Sequence, residues 1–476
     1  MSNSVVALGT IALVVLGTMI FGSLMTRRVH ATPTDFALGG RSFGALFLWL
    51  LLGGEIYTTF TFLGAAGWAY GKGAPAFYIL AYGTCAYVLS YFLLPPIWRY
   101  AKQHELITNA DFFAKRYESQ ALGGLVALVG FTFLVPYVTL QLSGIQRLLT
   151  IAGYGAFDAK VGVSIAFIVV ALYVFLNGLR GTAWGSVVKD VLVLAGVAFA
   201  GIVLPIRFFG SPAGVVDHVL AAKPTWMTLQ AAPTNSPLWY VSTVVLTACG
   251  YYMWPHSIAA AYSAKSDETL RRNSIFLPAY QLMLVLVFFA GWTALLVMPD
   301  LDAKAADSSF MLVVQKYYPA WVVGLVAAAG TLAGLIPASA QMLAAASVVS
   351  RNVVNPLGYA KTDAQQTLVT RVLVLVVAAL ALVFWLFANT TLVGLLLIAY
   401  NGITQLFPGV VFTLTGVRAN AGAIAAGIIV GIAVLAALAL ANQSTLSGIN
   451  AGLVALAANA LVAFVAGRVV VRIPSR

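Results

Sequence analysis

The sequence predicts an all-α integral membrane protein of about thirteen transmembrane helices, and three observations carry that prediction. Of the 476 residues, 61% are hydrophobic and 8% are charged, whereas a soluble domain carries about 25% charged residues. Apolar runs recur almost without a break at the ~20-residue length that crosses a bilayer. Most of the 26 Lys and Arg collect in alternate connections, the pattern that marks cytoplasmic loops.

The basic connections carry Arg27, Arg28 and Arg41; Arg99, Lys102, Lys115 and Arg116; Arg180; Lys265, Arg271 and Arg272; Arg351 and Lys361; Arg418; and Arg468, Arg472 and Arg476. The intervening ones are acidic, neutral or very short. This places the N-terminus outside and the C-terminus in the cytoplasm, and requires an odd number of spans. The same sorting accounts for much of the formal charge of +12 without a nucleic acid partner. Cys85 and Cys249 both lie inside apolar runs, so neither a disulfide framework nor a cysteine metal site is expected. No metal or cofactor is expected.

Taken in order, the spans fall near residues 4–26, 44–70, 75–99, 121–151, 160–179, 184–208, 238–263, 273–298, 319–350, 366–388, 390–416, 420–441 and 448–471. The first lacks a basic leading flank and a small-residue cleavage site, and is read as a retained helix. The longest connections, 209–237 and 299–317 outside and 100–120 and 351–365 inside, are too short to fold as separate domains.

Two spans depart from a plain apolar helix. The second contains Leu52-Gly53-Gly54-Glu55-Ile56-Tyr57-Thr58-Thr59, and the seventh Cys249-Gly250-Tyr251-Tyr252-Met253-Trp254-Pro255-His256. Each sets glycine or proline beside polar groups at mid-membrane depth, where an unwound backbone survives only if it lines a cavity or is buried in protein. Paired interruptions in corresponding positions of two halves point to an inverted-repeat transporter with its site at the midplane. The repeats would be 44–208 and 238–416, with an extra N-terminal helix at 4–26 and two extra C-terminal helices over 420–471, all in one transporter domain.

At this point the chain resembles the sodium/solute symporter family, which has a five-plus-five inverted-repeat, leucine-transporter-like fold. The resemblance covers about residues 4–471. It is carried by Asp35-Phe36-Ala37-Leu38-Gly39-Gly40-Arg41-Ser42, Asn177-Gly178-Leu179-Arg180-Gly181-Thr182-Ala183-Trp184, Gly250-Tyr251-Tyr252-Met253-Trp254-Pro255-His256 and Ser339-Ala340-Gln341-Met342-Leu343. Thr59-Phe60-Thr61-Phe62-Leu63-Gly64-Ala65-Ala66-Gly67-Trp68-Ala69-Tyr70 and the Trp-Pro-His triplet resemble the bacterial monocarboxylate permease branch.

The departures from the family pattern concern cation handling. The resemblance places the family's sodium site at Gly54, Tyr57, Ala333, Ile336, Pro337 and Ser186. Ile336 and Pro337 stand where two hydroxyl residues are usual, and Ser186 where an aspartate is usual. A hard cation needs several oxygen ligands, so the site is expected to be vacant. Lys189 follows Ser186 by three residues, on the same helix face. Fold relatives that work without sodium place a basic side chain from this helix in the vacated site, and Lys189 resembles that substitution. The alternative is that Lys189 and Asp190 snorkel to the cytoplasmic interface and only fix topology.

Glu55 is the one carboxylate placed well inside an apolar run, where a charged, lipid-facing group costs at least ~2.5 kcal/mol. It is expected to face the bundle interior, either as a coupling proton carrier with Lys189 and Asp190 or as a structural cap on the broken helix. For the substrate, a half-helix N-terminus with hydroxyl donors makes an anion receptor. Tyr57, Thr58, Thr59 and Thr61 fit that role, with Tyr251, Tyr252, Trp254 and His256 opposite and Gln141, Tyr400, Asn401 and Gln405 completing the wall. His256 is equally consistent with a satisfied residue at a helix break.

These readings converge on a secondary active importer of short-chain monocarboxylates of the pyruvate, lactate and acetate class, coupled to protons and independent of sodium. Sodium-coupled uptake of a monocarboxylate or amino acid, with Ser339 completing the ion site, is the alternative. A transporter-like sensor module is a second alternative. An enzyme is disfavoured, because no span carries zinc-ligand spacing, paired catalytic carboxylates or a glycine-flanked nucleophile.

Overall fold

The computed structural model describes residues 2–26, 41–54, 56–231, 235–359, 362–388 and 390–470. The chain runs α1 (Asn3–Thr26), α2 (Ala45–Gly54), a π-helical turn (Phe60–Ala65), α3 (Ala66–Lys72), α4 (Tyr78–Gln103), α5 (Asn109–Arg116) and α6 (Gln120–Ala152). It continues through α7 (Ala159–Ala198), α8 (Leu204–Phe209), α9 (Pro212–Ala222), α10 (Pro237–Gly250), α11 (Pro255–Tyr262), α12 (Asp267–Gln281), α13 (Leu284–Val297) and α14 (Ser309–Tyr317). The last part comprises α15 (Ala320–Val349), α16 (Asp363–Phe387), α17 (Leu392–Ile403), α18 (Phe407–Thr415), α19 (Ala421–Leu440), a two-residue β-hairpin (β1 Thr445–Leu446, β2 Ile449–Asn450) and α20 (Ala451–Val470).

Among the described residues, ten helical segments are long and apolar enough to cross a membrane, with Ala45–Gly54 and Ala159–Val174 as shorter apolar helices. The chain is a multi-pass helical membrane protein. The two expected breaks are present. Helix α2 ends at Gly54 and residues 56–58 are non-helical before the π-helical turn. Helix α10 ends at Gly250, a 3-10 turn covers Tyr251–Met253, and Trp254 is extended at φ −63°, ψ 135°. Pro255 then opens α11, where its missing N–H has no helical partner to lose.

Elsewhere the structure divides the chain differently. The spans expected at 160–179 and 184–208 are joined, because helical bonding continues through 180–183 as the 40-residue α7. That connection holds no proline, and isolated glycines weaken a helix by only about 1 kcal/mol each. The span at 273–298 is interrupted between α12 and α13, and the one at 390–416 has a 3-10 turn, Thr404–Leu406, before Pro408.

Burial ranks the helices. The span built on α15 is 89% buried, against 28% for each of those built on α1, α16 and α19. Helix α15 is therefore the central post, packed on α6, α7 and α1. The outer helices expose Leu13, Phe387 and Leu440, as helices facing lipid do. Small residues set the close approaches: a Cβ on Gly144 or Gly334 would collide with Thr59, so both glycines let α6 and α15 close on the first broken segment.

Candidate functional site

The end of α2 carries the most concentrated charge in the membrane region. Lys189 and Asp190, on α7, are each 1% exposed. The Lys189 ammonium donates to the Gly54 carbonyl at 2.8 Å and lies 3.0 Å from Asp190 Oδ1. A Cβ on Gly54 would collide with Lys189 Nζ and crowd the Asp190 carboxylate, so this approach requires glycine. The carbonyl that ends α2 has no helical N–H to accept from, and the ammonium supplies the donor. Lys189 is thus held inside the bundle and does not reach an interface.

The positions where the family resemblance puts a sodium site offer few side-chain oxygens. Ala333, Ile336 and Pro337 are buried on α15, and Ile336 Cδ1 lies where a Cβ on Gly185 would stand, one residue before buried Ser186. Ser339 donates to its own helix at Leu335 O, 2.7 Å away. Among the described residues, no group of three or more His, Cys, Asp or Glu is arranged to hold a metal ion. Glu55 lies outside the described residues.

The unwound stretch after Gly54 is knitted by its own hydroxyls. Thr61 donates to Ile56 O at 2.7 Å and accepts from Thr58 N at 3.0 Å, and Thr58 accepts from Phe60 N at 3.1 Å. Thr59 donates to Gln141 Oε1 at 2.8 Å, tying the segment to α6. The Tyr57 hydroxyl donates to Tyr280 O at 3.0 Å, and the Tyr280 ring packs 4.7 Å from the rings of both Tyr57 and Trp49. The hydroxyls read from sequence as substrate donors are engaged within the protein in this conformation.

The second break joins an aromatic cluster. Trp254 packs 5.3 Å from Tyr400 and 5.1 Å from Tyr137, and His256 lies 5.7 Å from Tyr137. Tyr251 meets Tyr87 at 5.6 Å, with their hydroxyls 3.4 Å apart, and Tyr82 packs on Tyr400 at 5.7 Å. Tyr252 is buried beside Tyr251, ring to ring at 4.8 Å. Asn401 and Gln405 face elsewhere: Asn459 of α20 donates to Gln405, and Asn401 crowds Gly452. Sequence reading did not single out Tyr82, Tyr87, Tyr137 or Tyr280. Their only signal is tyrosine inside an apolar run, where a buried hydroxyl needs a partner.

Both ends of the broken helices are closed. At one side Phe43 N donates to Ser263 O and Lys265 N to Phe43 O, and Arg41 donates to Leu106 O. Asp111, in the α5 capping box, accepts from Arg351 Nε and Asn352 Nδ2, both at 2.7 Å. On the other side Asp307, 1% exposed, accepts from Leu392 N at 2.9 Å and lies 3.8 Å from Arg147. Burial pushes the Asp307 carboxyl above the ordinary carboxylate range, with Arg147 and the Leu392 N–H opposing.

The sequence profile of the sodium:solute symporter family matches residues 36–431. The uncharacterized symporter YhjB of Bacillus subtilis is 41% identical over 437 residues, 89% of each chain. A monocarboxylate transport permease protein of Rhizobium johnstonii is 30% identical over 388 residues, covering 80% of this chain and 77% of that one. Among solved structures, a sodium-coupled sialic acid symporter, substrate-bound and outward-open, superposes with a TM-score of 0.79 at 16% identity, covering 99% of this chain and 98% of that one. Two broken helices around a buried polar site and a profile matching most of the chain lead to one conclusion: this protein belongs to the sodium:solute symporter family.

Proposed function

We propose that this protein imports short-chain monocarboxylates with a proton, independently of sodium, by rocking one inverted repeat (44–208) against the other (238–416) around the midplane site. The observation that carries the reading is the Lys189 ammonium on the Gly54 carbonyl. A fixed cation at the end of the broken helix supplies there the charge that an ion brings in a sodium-coupled carrier. The same ammonium holds the Gly54 carbonyl and the Asp190 carboxylate, which ties the charge at this site to the conformation of the broken helix. Glu55 belongs to the same coupling group in this reading. The identity to a monocarboxylate permease supports the substrate class, and a cluster of tyrosines with free helix ends suits a small anion. The N-terminus lies outside and the C-terminus in the cytoplasm.

A second reading, sodium coupling, is favoured by the sodium-coupled structural neighbour. It requires Ser339 to turn from Leu335 O toward an ion. Purified protein in proteoliposomes separates the two. Uptake of labelled pyruvate or lactate in sodium-free buffer, driven by an acid-outside gradient, is expected. Uptake that begins only on adding sodium overturns the proton reading, and no monocarboxylate uptake under either condition overturns the substrate class.

A further inference from the structure

Gln341 is the one side-chain amide of the central helix. It is fully buried on α15, and neither its Nε2 nor its Oε1 has a hydrogen-bond partner among the described residues. An amide buried with both ends unpaired destabilises the fold, and methionine or leucine would fill the same volume without that cost. Its place is central. Gly330 of α15 meets Leu148 of α6 and Gly334 meets Ile145, so α15 descends as α6 ascends. Seven residues beyond Gly334 the same face returns, which brings Gln341 level with the stretch of α6 that presents Gln141. Gln141 is also fully buried, and its Nε2 lacks a partner while its Oε1 is taken by Thr59. Ala340 and Ala344, on a neighbouring face of α15, line a void of about 20 Å³ with Pro255 and His256 of the second break, and His256 Nδ1 has no partner among the described residues either.

From these observations we infer that Gln341 is a substrate-contacting residue that selects small monocarboxylates bearing a hydrogen-bond donor on the carbon next to the carboxylate, a hydroxyl or an ammonium. The inference rests on the monocarboxylate reading above. The two free amide N–H groups, Gln141 Nε2 and Gln341 Nε2, donate to carboxylate oxygens. Gln341 Oε1 then remains as an acceptor, and only a ligand with a donor at C2 satisfies it. Acetate, propionate and pyruvate leave that oxygen buried and unpaired, whereas lactate fills it through its hydroxyl and alanine through its ammonium. A site built to hydrogen-bond a substrate group rejects the analogue that lacks it far more strongly than an apolar pocket rejects a missing methylene.

The test is binding of L-lactate, L-alanine, propionate and pyruvate to the purified full-length protein by calorimetry. For wild type, lactate or alanine is expected to bind at least about tenfold more tightly than propionate, and the stronger of the two identifies which donor the site takes. In Gln341→Met the ratio is expected to fall toward one, while the melting temperature without substrate holds or rises because two unpaired atoms are gone. A purely structural glutamine would lower that melting temperature. If the variant is not monodisperse, the wild-type lactate-to-propionate ratio decides by itself. Binding without preference in wild type, or preference retained in Gln341→Met, overturns the role of Gln341 alone. Absence of binding by all four overturns the monocarboxylate reading and this inference with it.

Discussion

Replacing Lys189 by methionine keeps the unbranched stem of the side chain, one heavy atom shorter, and removes its charge. In the structure the ammonium contacts Gly54 O at 2.8 Å and Asp190 Oδ1 at 3.0 Å, and both charged side chains are 1% exposed. Solvent therefore screens the pair little, and the larger consequence of the change is the buried carboxylate left behind. Breaking a buried ion pair by removing one partner destabilises by about 3–5 kcal/mol, whereas removing both charges together is often near neutral. Lys189→Met is expected to lose about that much in SDS-titration unfolding and to lose accumulation of substrate against a gradient. Lys189→Met/Asp190→Asn is expected to recover most of the stability and none of the accumulation. The difference between the double variant and the sum of the singles measures the coupling directly. A Lys189→Met protein as stable as wild type, or one that still accumulates substrate, would refute the placement of the ammonium at the end of α2.

Other perturbations test the surrounding geometry. Gly54→Ala places a methyl group on the Lys189 and Asp190 side chains; overpacking of this kind costs about 1–3 kcal/mol, and coupled uptake is expected to fall with folding largely retained, checked by melting and proteoliposome uptake. Asp111→Ala removes the acceptor for Arg351, Asn352 and the Ile107 and Thr108 amides. A loss of about 1–3 kcal/mol is expected, with faster labelling of cysteines introduced on the Asp111 side of the bundle; unchanged labelling counts against Asp111 as a latch. For Asp307 the folded carboxyl titrates above its unfolded value, so the native state binds the proton more tightly. Stability from this group is present at acid pH and lost as pH rises through the raised value. Relative to Asp307→Asn, wild type should gain stability on acidification in melts across that range, and a gap that moves the other way contradicts the burial argument.

The membrane class and both helix breaks were legible in the sequence because they are local. An apolar run of bilayer length needs no partner to be recognised, and Gly53-Gly54 and Trp254-Pro255 weaken helical bonding beside polar side chains inside an apolar run. Lys189 was legible as an anomaly for the same reason, being a charge in an apolar run. Its partner was not, since Gly54 lies 135 residues away along the chain. Tyr280, Tyr82, Tyr87 and Tyr137 escaped notice because tyrosine in an apolar run has no periodic signature; only the packing of α4, α6 and α12 against the two breaks brings them to the site. Asp111 and Asp307 read as ordinary loop acids, and their burial follows from how the connections fold back over the helix ends.

Sequence alone therefore determined that this chain lies in a membrane, that its second and seventh expected spans break, and which charges the bilayer penalises. Those properties follow from transfer free energy and backbone hydrogen bonding, which act residue by residue. Tertiary structure decided which of the penalised charges meet, that Ile336 packs against Gly185 beside Ser186, and that Gln341 is buried without a hydrogen-bond partner among the described residues. A pairing between distant segments depends on helix packing and register, and a single sequence carries that information only in the sum of all its contacts.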